Sequence, residues 1–341
     1  MKNELRWGFL GNARIASSEI LPALQASHAG RAVAMASRDR ESATQTAIQF
    51  GIDRIYQDYQ ALIDDANVDA VYIGLPNSAH AYWLRVAVQA GKHVLCEKPI
   101  TLSAAELDGI EDLATAQGVL VQEALMVWTH PRWHRVRQLL RDGRIGRMRA
   151  VQGRFCFMSR DPNNIRNKAD LGGGGLLDLG MYLTSMARFL FEDEPTRALT
   201  MMERDPDFHT DRLVSFLLEF PQGQGSFVCS TQLGLTQRLV AMGTRGLIDV
   251  ETPFTPSSTA GTRLSILSTE VESNQLSEQI ELIPAANQYA TELTAFTQAV
   301  LHGRAPAVPL ASSIANMRVL DALNASARSG GWENVRVGRN Q

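Results

Sequence analysis

Apolar and polar positions alternate along the first third of the chain as they do in parallel α/β sheets. Apolar runs of strand length lie at 6–10, 31–37, 70–75 and 93–96, and the segments between them are long enough for helices. Strands that alternate with helices at this spacing are typical of βαβ units. The pattern predicts a doubly wound parallel sheet, with its last strand over 119–122.

The pattern changes after residue 122, where strand-like runs follow one another with few helices. These runs lie at 148–158, 212–220, 225–232, 238–243, 263–267 and 278–283. They predict an α+β domain with a large, open and mostly antiparallel sheet. We therefore expect two domains, 1–122 and 123–341, and a closing helix at about 310–328 that could pack back on the first domain.

The end of the fourth run carries the most informative residues, Glu97-Lys98-Pro99. Pro99 ends the strand because it has no amide hydrogen to donate. Lys98 is then at the carboxyl end of a parallel strand, which is where open α/β sheets bind their ligands. Taken alone, a solvated lysine at a strand end explains this position equally well.

A degenerate dinucleotide fingerprint follows the first strand. Gly11 takes the first position of G-x-G-x-x-G/A, Ala13 the second and Ala16 the third. Gly11 permits the tight turn and Ala16 permits close packing, but the Ala13 methyl limits the approach of a pyrophosphate. The arrangement predicts a Rossmann dinucleotide-binding domain, with the phosphates at the start of the next helix.

The second strand ends in Ser37-Arg38-Asp39 rather than in an acid. A hydroxyl and a guanidinium suit a 2′-phosphate, so these residues predict a preference for NADP(H), with NAD(H) less suitable. Ser37 or Asp39 could also cap a helix from Arg40 to Phe50, and both roles can hold together. The third strand ends in Pro76-Asn77, with His80 in the first turn of the next helix, where a histidine more often packs than catalyses.

These motifs together resemble the Gfo/Idh/MocA family of glucose–fructose oxidoreductase, inositol dehydrogenase and dimeric dihydrodiol dehydrogenase. The resemblance rests on 8–11, Ser37-Arg38, 76–80 and above all 91–99, and continues in 172–182 and the closing stretch 313–322. It implies a tyrosine-type active site, since Tyr182 stands where inositol-type enzymes have histidine. The expected cofactor-binding residues are Gly11, Asn12, Ala13, Arg14, Ile15, Ser37, Arg38, Leu75, Pro76, Asn77, His80, Glu97, Lys98 and Arg166.

The resemblance also implies a mechanism in which Lys98 and Tyr182 take acid–base roles. Asp178 is four residues before Tyr182, so a regular helix would place both on one face. An ammonium beside a phenol favours the phenolate, and Lys98 would hydrogen-bond the reacting oxygen. Asp178 would orient the pair or serve as a buried structural acid. The expected substrate-binding residues are Lys98, Asn164, Arg166, Asp178 and Tyr182.

The expected reaction is hydride transfer between NADP(H) and a sugar, polyol or vicinal diol. Reduction of a keto-sugar at the same site is one alternative, and a catalytically silent regulatory protein that binds the cofactor is another. The open sheet of the second domain needs a cover, which in the family comes from partner subunits. We therefore expect a homodimer or a higher homo-oligomer.

Composition agrees with this placement. The chain has 341 residues, 45% of them hydrophobic, which suggests more than one core, and a net charge of −3, which offers no footprint for nucleic acid. No apolar run of about 18 residues and no signal-like start is present, so we expect a cytoplasmic protein without a membrane partner. Cys96, Cys156 and Cys229 are expected to be reduced, and no metal site is expected.

Overall fold

The computed structural model describes residues 4–269 and 275–336. The chain forms two compact units, the first from Met1–His130 with Asn287–Ile314 and the second from Pro131–Ala286 with Ala315–Gln341. We expected a division near residue 122. The first unit instead runs to His130 and takes back 287–314, because Phe296 of that segment packs on Trp7 with ring centroids 5.1 Å apart.

The first unit is built on a sheet of six parallel strands in the order β3-β2-β1-β4-β5-β6, which confirms the doubly wound prediction. The order reverses between β1 and β4, which makes this the switch point where such folds bind ligands. The strands are β1 Arg6–Leu10, β2 Arg31–Ala36, β3 Arg54–Tyr56, β4 Ala70–Ile73, β5 His93–Glu97 and β6 Val121–Ala124.

Helices cover both faces of this sheet, and their ends follow local chemistry. The second helix begins after Asp39, whose Oδ1 accepts Ser42 N–H at 3.0 Å, and ends at Gly51 with φ of 65°. Both ends agree with the sequence prediction. The helices of this unit are α1 Leu21–Ser27, α2 Arg40–Phe50, α3 Tyr59–Ile63, α4 His80–Gln89, α5 Ile110–Gln117 and, after the second unit, α8 Gln288–His302.

The second unit is built on a nine-stranded mixed sheet in the order β14-β13-β12-β11-β7-β10-β9-β8-β15. Among the described strands of this second sheet, only β7 and β10 pair in parallel, so the prediction of a mostly antiparallel sheet is confirmed. The strands are β7 Met148–Met158, β8 Arg197–Arg204, β9 Asp211–Phe220, β10 Gly223–Ser230, β11 Gln232–Gly243, β12 Gly246–Glu251, β13 Thr262–Thr269, β14 Leu276–Ile283 and β15 Glu333–Asn334.

Three helices accompany this sheet: α6 Pro131–Arg141, α7 Met181–Phe191 and α9 Leu310–Ser329, within which the two units divide. Every residue of α7 is buried. Leu183 of α7 packs so closely on Gly153 of β7 that a Cβ on the glycine would lie 2.8 Å from a Leu183 methyl group. On another part of the sheet Met201 and Leu217 remain 73% and 41% exposed. The sheet therefore has an apolar surface that its own helices leave open.

Candidate functional site

The candidate cofactor residues of the first unit lie at one edge of its sheet. Gly11 follows β1, Ser37 follows β2, Leu75 follows β4 and Lys98 follows β5. Because these four strands are parallel, their carboxyl ends meet at the same edge. The structure thus gathers these four segments, which the sequence had linked only by motif.

Gly11 occupies a position that no other residue fits without strain. Its φ is +91°, and a Cβ added there would lie 2.8 Å from the Gly74 carbonyl oxygen. The neighbouring Asn12 is fixed by its Nδ2, which donates to Ser42 Oγ at 2.8 Å. Past Arg14 and Ile15 the chain enters a π-helical turn, Ala16–Ile20, which no described side chain caps. Arg14 and Ile15 are already helical, and Ala16 N–H and Ser17 N–H donate to the Ala13 carbonyl oxygen at 2.9 and 3.3 Å, so the amides available for an anion are those that precede Ala16 in this helix.

The end of β2 combines a helix cap with two candidate phosphate ligands. Ser37 is buried, and its Oγ accepts the Asp39 amide at 3.2 Å, which leaves the hydroxyl hydrogen to donate elsewhere. The Asp39 carboxylate serves α2, as described above. Arg38, between them, is exposed. Ser37 and Arg38 are thus placed at the strand end as the sequence predicted.

His80 is fully buried and braces the segment that follows Lys98. Its Nδ1 lies 2.8 Å from the Pro99 carbonyl oxygen and its Nε2 lies 2.9 Å from that of Leu75. Burial lowers the pKa of His80, while the two carbonyl contacts oppose that shift. Both ring nitrogens are therefore engaged, and His80 links the end of β4 to the end of β5. Pro76 and Asn77 lie between Leu75 and His80 in the chain.

The Glu97-Lys98-Pro99 segment is held by buried polar groups on both sides. Tyr72 Oη donates to Glu97 Oε1 at 2.6 Å, and Glu123 Oε1 accepts the Ile100 amide at 2.9 Å. The peptide bond between Lys98 and Pro99 is cis, and Lys98 itself is half-buried. Neither Tyr72 nor Glu123 belongs to a sequence motif, so their contributions could not be predicted.

Behind this segment, Glu292 of α8 is fully buried in the same unit. Burial raises its pKa well above the ordinary range, and the charges of Glu97 and Glu123 raise it further. The carboxyl groups of Glu97, Glu123 and Glu292 therefore act on one another. This proximity favours the neutral form of Glu292.

In the second unit, Asp178 and Tyr182 lie at the start of one helix, but that start is not a regular α-helix. A π-helical turn spans Leu176–Gly180, in which Met181 N–H donates to Leu176 O, and α7 follows. Asp178 thus lies in the π-helical turn and Tyr182 in α7, four residues apart near the start of one helix. Tyr182 is 5% exposed, with Phe155 and Phe254 at ring-centroid distances of 5.8 and 5.6 Å.

The loop before this helix brings two further candidates to Asp178. Arg166 Nε donates to Asp178 Oδ2 at 2.6 Å, and Asn164 Oδ1 accepts the Arg166 amide at 3.1 Å. Hydrogen bonds thus link three of the four candidates in this unit, Asn164 to Arg166 and Arg166 to Asp178. The pair makes Asp178 a charged, ion-paired acid rather than an isolated one.

Sequence reasoning missed Asp211, the first residue of β9. Its Oδ2 accepts the Leu176 amide at 2.6 Å, so a strand 35 residues away caps the helix that bears Tyr182. Burial raises the pKa of Asp211 to about 6 against the lowering effect of the amides. No local pattern around residue 211 indicates this contact.

The described residues include no group of three or more His, Cys, Asp or Glu suited to a metal ion. None of the described helices is long and apolar enough to cross a bilayer. Cys96, Cys156 and Cys229 are free and buried, in agreement with the prediction of reduced thiols.

Comparison with known proteins decides the family. Residues 5–125 match the model of the Gfo/Idh/MocA oxidoreductase family with its NAD-binding Rossmann fold, and residues 133–249 match a C-terminal domain model of that family. The chain belongs to the Gfo/Idh/MocA family. It is therefore an oxidoreductase with a nicotinamide-dinucleotide-binding domain, as the motifs implied.

Three relatives show the range of this family near the chain. D-xylose 1-dehydrogenase (NADP(+)) 2 of Haloferax volcanii is 35% identical over 96% of this chain and 98% of its own. Mouse (Mus musculus) trans-1,2-dihydrobenzene-1,2-diol dehydrogenase is 33% identical over 74% of this chain and 76% of its own. The crystal structure of a 3-ketoreductase from Actinomadura kijaniata with NADP and TDP-benzene has a TM-score of 0.88 and 30% identity, over 95% of this chain and 98% of that one.

Proposed function

We propose that this protein is an NADP(H)-dependent oxidoreductase that transfers hydride between the nicotinamide and a sugar, polyol or vicinal diol. The observation that carries the proposal is the set of strand ends in the first unit, with Lys98 after β5 at the ligand-binding edge of a family-typical sheet. Relatives named for xylose, a dihydrodiol and a keto-sugar give the substrate class.

The cofactor would be held by residues whose geometry already fits a dinucleotide. The glycine position at 11, where a Cβ would meet a backbone oxygen, leaves room for a pyrophosphate beside the uncapped π-helical turn. Ser37 and Arg38 would hold a 2′-phosphate, since no strand-end acid repels it. Leu75, Pro76, Asn77 and Glu97 would line the same edge, and His80 would contribute through the segment that it braces.

When bound, the nicotinamide accepts or supplies the hydride. The chain's own residues then have to hold the reacting oxygen and move its proton. We assign the proton to Tyr182 Oη and the hydrogen bond to the oxygen to Lys98 Nζ. Asp178, paired with Arg166, would orient Tyr182 or bind a neighbouring hydroxyl, and Asn164 would fix the loop.

The same residues run in reverse would reduce a keto-sugar. The likeness to a 3-ketoreductase over nearly the whole chain favours this as the second candidate function. A panel of aldoses, inositols and vicinal diols with NADP⁺, and of keto-sugars with NADPH, distinguishes the two directions. Tight cofactor binding without turnover on either panel would contradict both and identify a silent regulatory protein.

The open surface of the second unit's sheet supports a homodimer or a higher homo-oligomer. A groove on this surface is lined by Leu199 and Met201 of β8, Leu217 of β9, Val228 of β10 and Val240 of β11. Phe216 of β9 and Phe227 of β10 are buried. Arg238 beside it is paired with Asp249, whose Oδ1 accepts Nε at 2.8 Å, so the surface carries balanced charge. An exposed apolar surface of this kind suits burial against a second copy of the chain.

Sedimentation at micromolar concentration tests this assembly. We expect the wild type to sediment as a dimer or larger, and the M201E/L217E double variant to sediment as a smaller species because each carboxylate would be buried unpaired. Ile48, 79% exposed on the first unit, provides the control, and Ile48→Glu should leave the assembly intact. A monomeric wild type would contradict the proposal.

A further inference from the structure

The start of the helix that bears Tyr182 is held by a carboxylate from a distant strand. Asp211 is 7% exposed and accepts the Leu176 amide at 2.6 Å, and the Gly175 amide is directed at the same carboxylate. Leu176 is the first residue of the π-helical turn that contains Asp178. The contact therefore fixes the origin of the helix from which both candidate side chains project.

Gly174 shows how closely this contact is built. Its φ is +122°, and a Cβ there would lie 1.9 Å from Asp211 Oδ1. On its other side, the Gly174 amide donates to the Arg166 carbonyl oxygen at 2.9 Å. The glycine thus lies between the loop that carries Arg166 and the carboxylate of Asp211, which gives the glycine-rich segment a positional role rather than that of a flexible loop.

An ionised acid at this position is unfavourable for stability. Because burial raises its pKa to about 6, the stabilising contribution of the protonated form is present below about pH 4 and is lost as the pH rises through 6. Arg204 of β8 favours the carboxylate, whereas Asp178 and the neutral Cys229 thiol of β10 do not compensate its charge. A neutral cap would satisfy one amide without this penalty.

We propose that Asp211 is a positioning residue, whose carboxylate sets the start of the Tyr182 helix so that Asp178 and Tyr182 are presented correctly to the substrate. The inference rests on the proposed function for its catalytic consequence. The structural consequence, protection of the amides at 174–178, is independent of it.

The test compares Asp211→Asn with a matched control. Asp205 is also buried and also accepts backbone amides, from Asp207 at 2.8 Å and Phe208 at 2.9 Å, but it does not touch the helix start. We expect Asp211→Asn to lower kcat by about 10- to 100-fold, with cofactor KM unchanged within about twofold, because a small misplacement of a reacting group is costly. Asp205→Asn should keep its kcat.

Hydrogen exchange followed by mass spectrometry gives the second readout. In Asp211→Asn, protection over 174–178 should fall while α7 keeps its protection. In the wild type the protection of the same segment should rise, after correction for intrinsic exchange, as the pH falls through about 6, because the buried carboxyl group binds its proton more tightly than an exposed one; this test does not depend on the variant folding. The pH dependence should be absent in Asp211→Asn.

The outcomes separate the two proposals. Unchanged protection at 174–178 in the variant, or in the wild type across pH 6, would overturn the role of Asp211 in holding the helix. Lost protection with unchanged kcat would overturn its role in the reaction. If Tyr182→Phe keeps wild-type turnover, the proposed function fails, and the exchange data still decide whether Asp211 holds the helix.

Discussion

Two helices of this protein begin in the same unusual way and are completed differently. The helix after β1 and the helix that bears Tyr182 both have a five-residue π-helical turn near their start, Ala16–Ile20 in the first unit and Leu176–Gly180 in the second. The first has no described side-chain cap. The second is closed by Asp211.

The difference indicates what each helix start is for. An uncapped start leaves amides and the positive end of the helix dipole to an anion, which suits the phosphates of a dinucleotide. A start closed by a carboxylate repels an anion and gains a fixed origin instead. The comparison therefore supports the proposal that the helix start in the first unit binds the cofactor and that the one in the second unit places the acid–base groups.

The largest expected effect comes from the second unit. Tyr182→Phe should lower turnover by about 10²–10⁴ because the phenol is the group assigned to proton transfer, while the ring still packs against Phe155 and Phe254. Cofactor affinity, measured by NADP⁺ titration, should barely change.

In the first unit, we expect Lys98→Ala to lower both turnover and cofactor affinity, in contrast to Tyr182→Phe, which should lower turnover alone. The half-buried Tyr289 of α8 supplies a control, since Tyr289→Phe should retain turnover. A Tyr182→Phe enzyme with near wild-type kcat would transfer the proton role to Lys98 or His80 and remove the distinction between the units.

A smaller effect should separate the two cofactors. Arg38→Ala should raise the NADP⁺ KM by about 10- to 100-fold, the loss of one or two charge-assisted hydrogen bonds to a phosphate. The NAD⁺ KM should stay within about twofold. Arg31, at the opposite end of β2, pairs with Asp53 at 2.9 Å, and Arg31→Ala is the control. Equal changes for both cofactors would mean that Arg38 stacks on the adenine only.

The smallest effect concerns the stability of the first unit. Because the pKa of Glu292 is raised in the folded state, its stabilising contribution is present below the unfolded pKa of about 4.3 and is lost as the pH rises through the folded value. Glu292→Gln removes that loss. We expect the variant to melt above the wild type at pH 8, with a difference that shrinks as the pH is lowered towards 5. A melting difference that does not depend on pH would contradict this account.

Much of the fold was determined locally and could be predicted from the sequence. The helix Arg40–Phe50 was predicted with both ends, and in the structure Asp39 caps it and Gly51 ends it. The parallel sheet followed from the spacing of apolar runs. The positions of Gly11, Ser37 and Lys98 at strand ends followed in turn, because parallel strands present their carboxyl ends together.

The remaining features depend on partners that are far apart in the sequence. The sequence predicted helical spacing for Asp178 and Tyr182, but the π-helical turn arises where Asp211 and the Arg166 loop meet the glycines. Likewise, 287–314 joins the first unit because Phe296 packs on Trp7 and Thr297 Oγ1 donates to the Ala29 carbonyl at 2.7 Å. Periodicity and caps are properties of neighbouring residues, so the sequence alone determined them. A buried carboxylate's choice of amide depends on which strands come together, and only the tertiary structure decided that.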